Sequence, residues 1–176
     1  MPDRRPAGID AALADWPVVH AFARQLASDA AAAEDLAQEA FLRLIARGDA
    51  VDTSRPLRSF LLTTVRRIWI DRTRRTDALP LDPEADFPSD DASPLDHAEF
   101  GDDAARLRAA LATLPRTWAA ALFLADGLDA PAAEIAEVLG TTPEVVRVTL
   151  HRARRRLRER LRPPSVSHPE RSRDDR

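Results

Sequence analysis

Cysteine, lysine, asparagine and tyrosine are all missing from this 176-residue chain. Without cysteine there is no disulfide to brace a fold and no thiolate to hold zinc or an iron–sulfur cluster. Glycine is scarce, at 5 residues. No stretch of useful length alternates apolar and polar residues, so nothing reads as a strand. No apolar run is long enough to span a bilayer, and the N-terminus has no signal-peptide core, so an intracellular protein without membrane insertion is expected. The histidines, His20, His97, His151 and His168, are scattered. No nucleophile stands beside a base and no phosphate-cradling glycine loop occurs. No catalytic residue, metal site or cofactor is therefore expected. All 26 basic residues are arginine, a chain-wide bias of the kind a GC-rich genome imposes, so arginine identity alone marks out no contact.

What is present is helical period and uneven charge. The net charge of −3 hides the distribution. Residues 1–75 hold 12 arginines and 10 acids, residues 76–103 hold no arginine and 10 acids, and residues 104–162 hold 11 arginines and 6 acids. Two mildly basic segments thus flank an acidic connector. The connector contains four prolines and no sustained periodicity, and reads as a flexible linker with too little apolar surface to order itself.

The most informative stretch runs from Ala130 to Leu161. Pro131 suits a helix start, and Ile135, Ala136, Val138 and Leu139 supply an apolar face. Gly140 suits the left-handed residue that closes a helix. Thr142 then reads as an N-cap, followed by Pro143 and by Glu144 near the positive helix end. In the second helix Val146, Leu150, Ala153, Leu157 and Leu161 share one seam. At 100° per residue, Glu144, Arg147, Val148, His151, Arg152 and Arg155 fall opposite. A helix-turn-helix sets such a face into the DNA major groove, where arginine can bond guanine and an apolar group can meet a thymine methyl. A solvated amphipathic helix would show the same periodicity.

Earlier in the chain, Ile9 to Trp16 reads as a short helical turn. A helix opened by Pro17 follows, with Val18, Val19, Phe22, Ala23 and Leu26 facing a core and Ser28-Asp29 closing it. Residues 31–47 form the next helix. Leu36, Ala40, Phe41 and Leu44 line one side, and Asp35, Gln38, Glu39 and Leu42 the other. An exposed leucine among acids suits a basic, partly apolar partner helix, although single exposed leucines are common. After a polar loop over Gly48 to Arg55, a long helix is expected over 56–75. Leu57, Leu61, Val65, Ile68 and Trp69 face inward, and Ser59, Thr63, Arg66, Arg67, Ile70 and Arg74 face outward. Helices over 104–113 and from Pro115 to Asp126 precede the helix-turn-helix, with Trp118, Leu122, Phe123 and Leu124 in their core. Residues 1–8 and 163–176 read as polar ends.

These motifs together resemble bacterial RNA polymerase sigma factors of the extracytoplasmic-function branch. Ala33-Glu34-Asp35-Leu36-Ala37-Gln38-Glu39-Ala40-Phe41-Leu42-Arg43-Leu44 is similar to the region-two helix that docks on the β′ clamp coiled coil. Arg58 to Arg67, followed by Asp71-Arg72, is similar to the helix that opens and reads the −10 element. Leu111 to Pro115 and Glu134 to Leu161 resemble region four, which reads the −35 element. The family usually has tryptophan at Phe60 and asparagine at Arg67. It often has Ser-Arg at Val148-Thr149, and its approach to the helix-turn-helix is about two residues shorter than Asp129 to Ala133.

The resemblance implies an all-α fold of two small helical domains. Region two would span 9–75, the acidic linker 76–103, region four 104–162 and a tail 163–176. It implies that Asp35, Gln38, Glu39 and Leu42 bind core polymerase. It implies that Ser59, Thr63, Arg66, Arg67, Ile70 and Arg74 meet the −10 strand. Thr142, Glu144, Arg147, Val148, His151, Arg152 and Arg155 would meet the −35 duplex. Expected partners are core RNA polymerase, through the β′ clamp and the β subunit, promoter DNA and an anti-sigma protein. Two other readings remain open on the residues alone: a plain helix-turn-helix regulator, and a sigma-like decoy that binds an anti-sigma protein.

Overall fold

Short polar caps and prolines set the helix starts, and apolar stripes set how the helices pack. In the computed structural model, residues 9–48, 56–76 and 102–162 are described; residues 1–8, most of the polar loop after Gly48, the acidic linker over 77–101 and the tail from 163 lie outside the described residues. The elements in order are α1 (Ile9–Ala14), α2 (Trp16–Leu26), α3 (Ala30–Arg47), α4 (Leu57–Thr76), α5 (Asp102–Ala112), α6 (Arg116–Leu122), a π-helical turn (Phe123–Gly127), α7 (Ala132–Leu139) and α8 (Pro143–Leu161). No strand occurs among the described residues, as the missing alternation predicts.

Asp29 corrects one boundary. The sequence pairs it with Ser28 as the end of the second helix, but α2 already ends at Leu26. Asp29 instead starts α3: its backbone is extended, and its carboxylate accepts the Ala32 N–H at 2.8 Å. The reason is general, since the first turn of a helix leaves N–H groups that a short side-chain oxygen can satisfy. That bond, helped by the Ser28 hydroxyl, holds the Asp29 carboxyl below its usual range.

A second correction concerns the helix expected from Pro115 to Asp126. It is α-helical only to Leu122 and then widens into the π turn. The Ala130 N–H closes the turn by donating to the Leu124 carbonyl at 3.0 Å. Asp129 stands in the left-handed region, at φ +53°, which a short polar side chain tolerates better than most. Periodicity cannot reveal this turn, because one residue of extra width does not alter the apolar pattern on either side.

The first half is a bundle of α2, α3 and α4, and the second packs α5, α6 and α7 against α8. The two halves also pack on each other. α2 lies against α6, and α4 against α7, so one apolar core runs through both. Phe22 is fully buried and meets Phe123 across the seam with ring centroids 6.3 Å apart. Arg116, at the start of α6, donates to the Leu26 carbonyl at 2.9 Å. A cation there meets both an unpaired carbonyl and the negative end of α2.

Inside the first half, Glu39 ties α3 to α4. Its carboxylate accepts from Arg43 and from Arg72, each at 2.6 Å. Burial pushes the carboxyl up, but the hydrogen bonds and charges of Arg72 and Arg43 outweigh it and leave it below the usual range. A depressed carboxyl contributes stability above its unfolded pKa and loses it as pH falls through the folded one. Glu39→Gln is therefore expected to lower unfolding stability by about 0.5–1 kcal/mol near neutral pH, the scale of an exposed ion-pair network. In denaturant titrations across pH, the gap to the native protein should close below about pH 4.

Candidate nucleic-acid interface

Three helix faces carry the residues singled out in the sequence. On α3, Asp35 and Gln38 are exposed and Leu42 is 64% exposed. Gln38 donates to Glu34 at 3.0 Å along the same helix. Glu39 stands apart from this group, half-buried and held by the arginines described above. Ile45, not picked out by the sequence reading, is 47% exposed. It lies three residues from Leu42, so the two side chains adjoin on one helical face. That spacing was the available signal, since a single leucine is ordinary and two adjoining aliphatics are less so.

On α4 the inward set is larger than periodicity suggested. Leu61, Leu62, Val65 and Ile68 are buried, and Thr64 is buried with its hydroxyl donating to the Phe60 carbonyl at 2.8 Å. Of the six residues expected to face outward, Arg67 and Arg74 are exposed, whereas Ser59, Thr63, Arg66 and Ile70 are half-buried. The physical reason is a second neighbour: α4 packs on α2 and α3 with one side and on α7 with another. The Ser59 hydroxyl donates to the Glu134 carboxylate of α7 at 3.1 Å. Burial lowers the Arg66 pKa, and the charges of Arg67 and Arg74 lower it further.

On α8 the expected face is open. Val146, Leu150 and Ala153 are buried, while Glu144, Arg147, Val148, His151, Arg152 and Arg155 are exposed. Gly140 closes α7 in the left-handed conformation at φ +58°, and Thr142 caps α8 from extended backbone. Arg147 lies 3.4 Å from Glu144, both well exposed, a pairing weak enough to yield to a ligand. Glu144 sits below its usual carboxyl range, first through its own backbone N–H and then through the Thr142 hydroxyl. Arg154, by contrast, is spent on the fold: its guanidinium grips Asp126 of the π turn through both Nε and Nη2. Val145, absent from the sequence reading, is 45% exposed one turn before Val148 at 49%. The seam count gives its direction, because it adjoins the buried Val146 yet falls outside the four-and-three spacing.

The chain has recognisable relatives. The Sigma-70 region 2 family matches residues 16–78, and the Sigma-70, region 4 family matches residues 104–157. The chain is 34% identical over 132 residues to the ECF RNA polymerase sigma factor ShbA of Streptomyces griseus, which covers 71% of this chain and 69% of that protein. It is 32% identical over 143 residues to the RNA polymerase sigma-E factor of Streptomyces coelicolor, covering 79% of this chain and 77% of that protein. A similar fold occurs in the sigma factor RpoE of Bartonella quintana, solved in complex with the anti-sigma factor NepR. The match has a TM-score of 0.67 at 24% identity and covers 86% of this chain and 94% of that one.

The start of α8 rests on one side chain, Thr142, whose hydroxyl accepts the Val145 N–H at 3.4 Å. Thr142→Ala is expected to cost about 0.5–1 kcal/mol, the lower part of the range for a lost cap given that long bond. Amide exchange should quicken first at Val145, while the Ala153 turn keeps its protection.

Proposed function

Because this chain belongs to the sigma-70 family of RNA polymerase sigma factors, in its ECF branch, we propose that its three faces divide the work of initiation. As an ECF sigma factor it binds core RNA polymerase and directs it to promoters. Residues 9–75 act as region two and 104–162 as region four. The α3 face of Asp35, Gln38, Leu42 and Ile45 docks on the β′ clamp, with Glu39 holding that face to α4. The α4 stripe of Ser59, Thr63, Arg66, Arg67, Ile70 and Arg74 receives the unpaired −10 strand. The N-terminal half of α8 enters the −35 major groove, and region four rests on the β subunit. Polymerase supplies the chemistry, so the chain contributes recruitment and strand separation and no catalysis of its own. That work places it on bacterial DNA in the cytoplasm. An anti-sigma protein is the expected regulator, in keeping with the complex known for the Bartonella relative.

The observation that carries this reading is α8. Its exposed arginines include Arg147, Arg152 and Arg155, with exposed Val148 and His151 between them, on a helix whose opposite side is fixed in the core. Direct readout needs such a face, with arginine for guanine and an aliphatic group for the thymine methyl. Promoter-dependent transcription with purified core enzyme and start-site mapping tests it. Absence of core binding, with duplex binding retained, would make the chain a plain helix-turn-helix regulator.

Three substitutions give sharper outcomes. Leu42→Ala is expected to weaken core affinity about tenfold without changing helix content, the loss typical of one well-buried interface anchor. A titration against core enzyme reads it, and unchanged affinity would remove α3 as the docking face. Arg147→Ala is expected to cost about 1–3 kcal/mol of duplex binding and to relax preference at one −35 base pair. Neutralising Arg155 should instead weaken all sequences evenly and lower the salt slope by about one unit. Competition among −35 variants separates these, and an even loss on Arg147→Ala would make that residue a backbone contact.

A further inference from the structure

Among the described residues, the exposed large apolar side chains are Leu13, Leu42, Ile45, Leu107, Val145 and Val148. They include two adjoining pairs, each three residues apart on one helix. Leu42 and Ile45 stand on α3, on the side that carries exposed Asp35. Val145 and Val148 stand on α8 with exposed Arg147, Arg152 and Arg155. The surrounding charge separates their partners. An aliphatic pair among arginines suits an apolar group carried on a polyanion. The major groove of duplex DNA presents one such group, the thymine 5-methyl.

The fold has no use for the valine pair. The buried side of α8 is already filled by Val146, Leu150 and Ala153. A β-branched residue at an exposed helix position forms helix less well than the arginines around it. Valine has one side-chain torsion, and a helix holds it nearly in a single rotamer. Both methyl surfaces are therefore fixed before a ligand arrives, and covering them costs little entropy.

At 100° per residue the two valines lie about 60° apart around α8, with Arg152 between them and one turn further on. Their Cβ atoms are about 5–6 Å apart. Successive bases of one DNA strand rise about 3.4 Å and also turn about the axis, which brings neighbouring 5-methyls to a comparable spacing. Val145 lies in the first turn of α8, its N–H donated to the Thr142 hydroxyl at 3.4 Å. The first turns are those that approach base edges in a helix-turn-helix. A lone valine would meet one methyl, whereas two at this spacing meet two in succession. They also disfavour other bases. A cytosine amino group or a purine N7 facing an aliphatic side chain loses its water and gains no partner.

Resting on the reading of α8 as the −35 helix, we propose that Val145 and Val148 together select a thymine–thymine step in the −35 element through its two methyl groups. Val145 thereby joins the specificity-determining residues. The −35 element is then one with two adjacent A·T pairs whose thymines lie on the same strand.

The test starts from duplexes randomised over the −35 positions, bound to the full chain and sequenced from the bound fraction. A thymine–thymine step should be enriched. Deoxyuridine is then placed at each thymine in turn, which removes the methyl and leaves base pairing intact. At the two positions of the step, each replacement should weaken binding about threefold to fivefold, the worth of one methyl taken out of water. Val145→Ala should abolish the loss at one thymine and Val148→Ala the loss at its neighbour, a coupling that a merely structural role does not produce. Alanine is the better helix former, so both variants keep α8. Equal affinity for thymine and deoxyuridine at every position overturns the proposal. A methyl effect confined to one position overturns the pair. An effect that survives in both alanine variants overturns it as well, because another side chain then meets the methyls. A pool bound without any sequence preference is a different failure, that of α8 as the reading helix, and takes the proposal with it.

Discussion

With no disulfide available to this chain, its two halves are joined by apolar burial, and α2 is where that burial concentrates. This eleven-residue helix packs on α3 and α4 with one side and on α6 with another. Val19, Phe22, Ala23 and Leu26 have no exposed surface left. Each large side chain so enclosed contributes about 1.5–3 kcal/mol relative to leaving it in water. Truncating Phe22 would also leave a void between the halves, the kind of loss that costs several kcal/mol because the surroundings collapse only in part. The polar contacts at the seam add direction to this. Arg116 meets one particular carbonyl and Ser59 one particular carboxylate, so they fix which surfaces meet more than how tightly.

Much of this was legible in the sequence, for identifiable reasons. The helix-turn-helix carries its own punctuation: Gly140 takes the left-handed backbone that a helix end favours, and Thr142 with Pro143 starts the next helix. The α8 seam was readable because a helix with one buried side has one period. The same logic misjudged α4, a helix with neighbours on two sides. Its second neighbour, α7, lies 75 residues away at the Ser59–Glu134 bond, and no local pattern encodes that distance. Glu39 shows the same limit: its carboxylate pairs with Arg72, which only the fold brings near.

The three candidate faces differ in how they are held. On α8 the reading side chains are exposed, with paired residues such as Arg154 and Asp126 bracing the helix from the side. On α3 the docking patch adjoins a buried Phe41 and Leu44, so its backbone is rigid while Leu42 and Ile45 stand clear. A rigid helix with a free aliphatic pair loses little entropy when a partner covers it. On α4, Ser59, Thr63, Arg66 and Ile70 are half-buried, with Ser59 bonded to Glu134 of α7 and Arg66 close against Gly140.

The π turn at Phe123–Gly127 can also be considered as a matter of chain length. A widened turn takes up one more residue than an α-helix needs for the same reach, and the left-handed Asp129 turns the chain straight back toward α7. Downstream of it, Pro131 leads α7 and Gly140 closes it. The π turn thus sits upstream of both helices of the hairpin, with Asp126 against Arg154 and Phe123 against Phe22. Length added within the π turn leaves the sequence of α7 and α8 unchanged, whereas a residue added inside α7 would shift its apolar face by about 100° relative to the core.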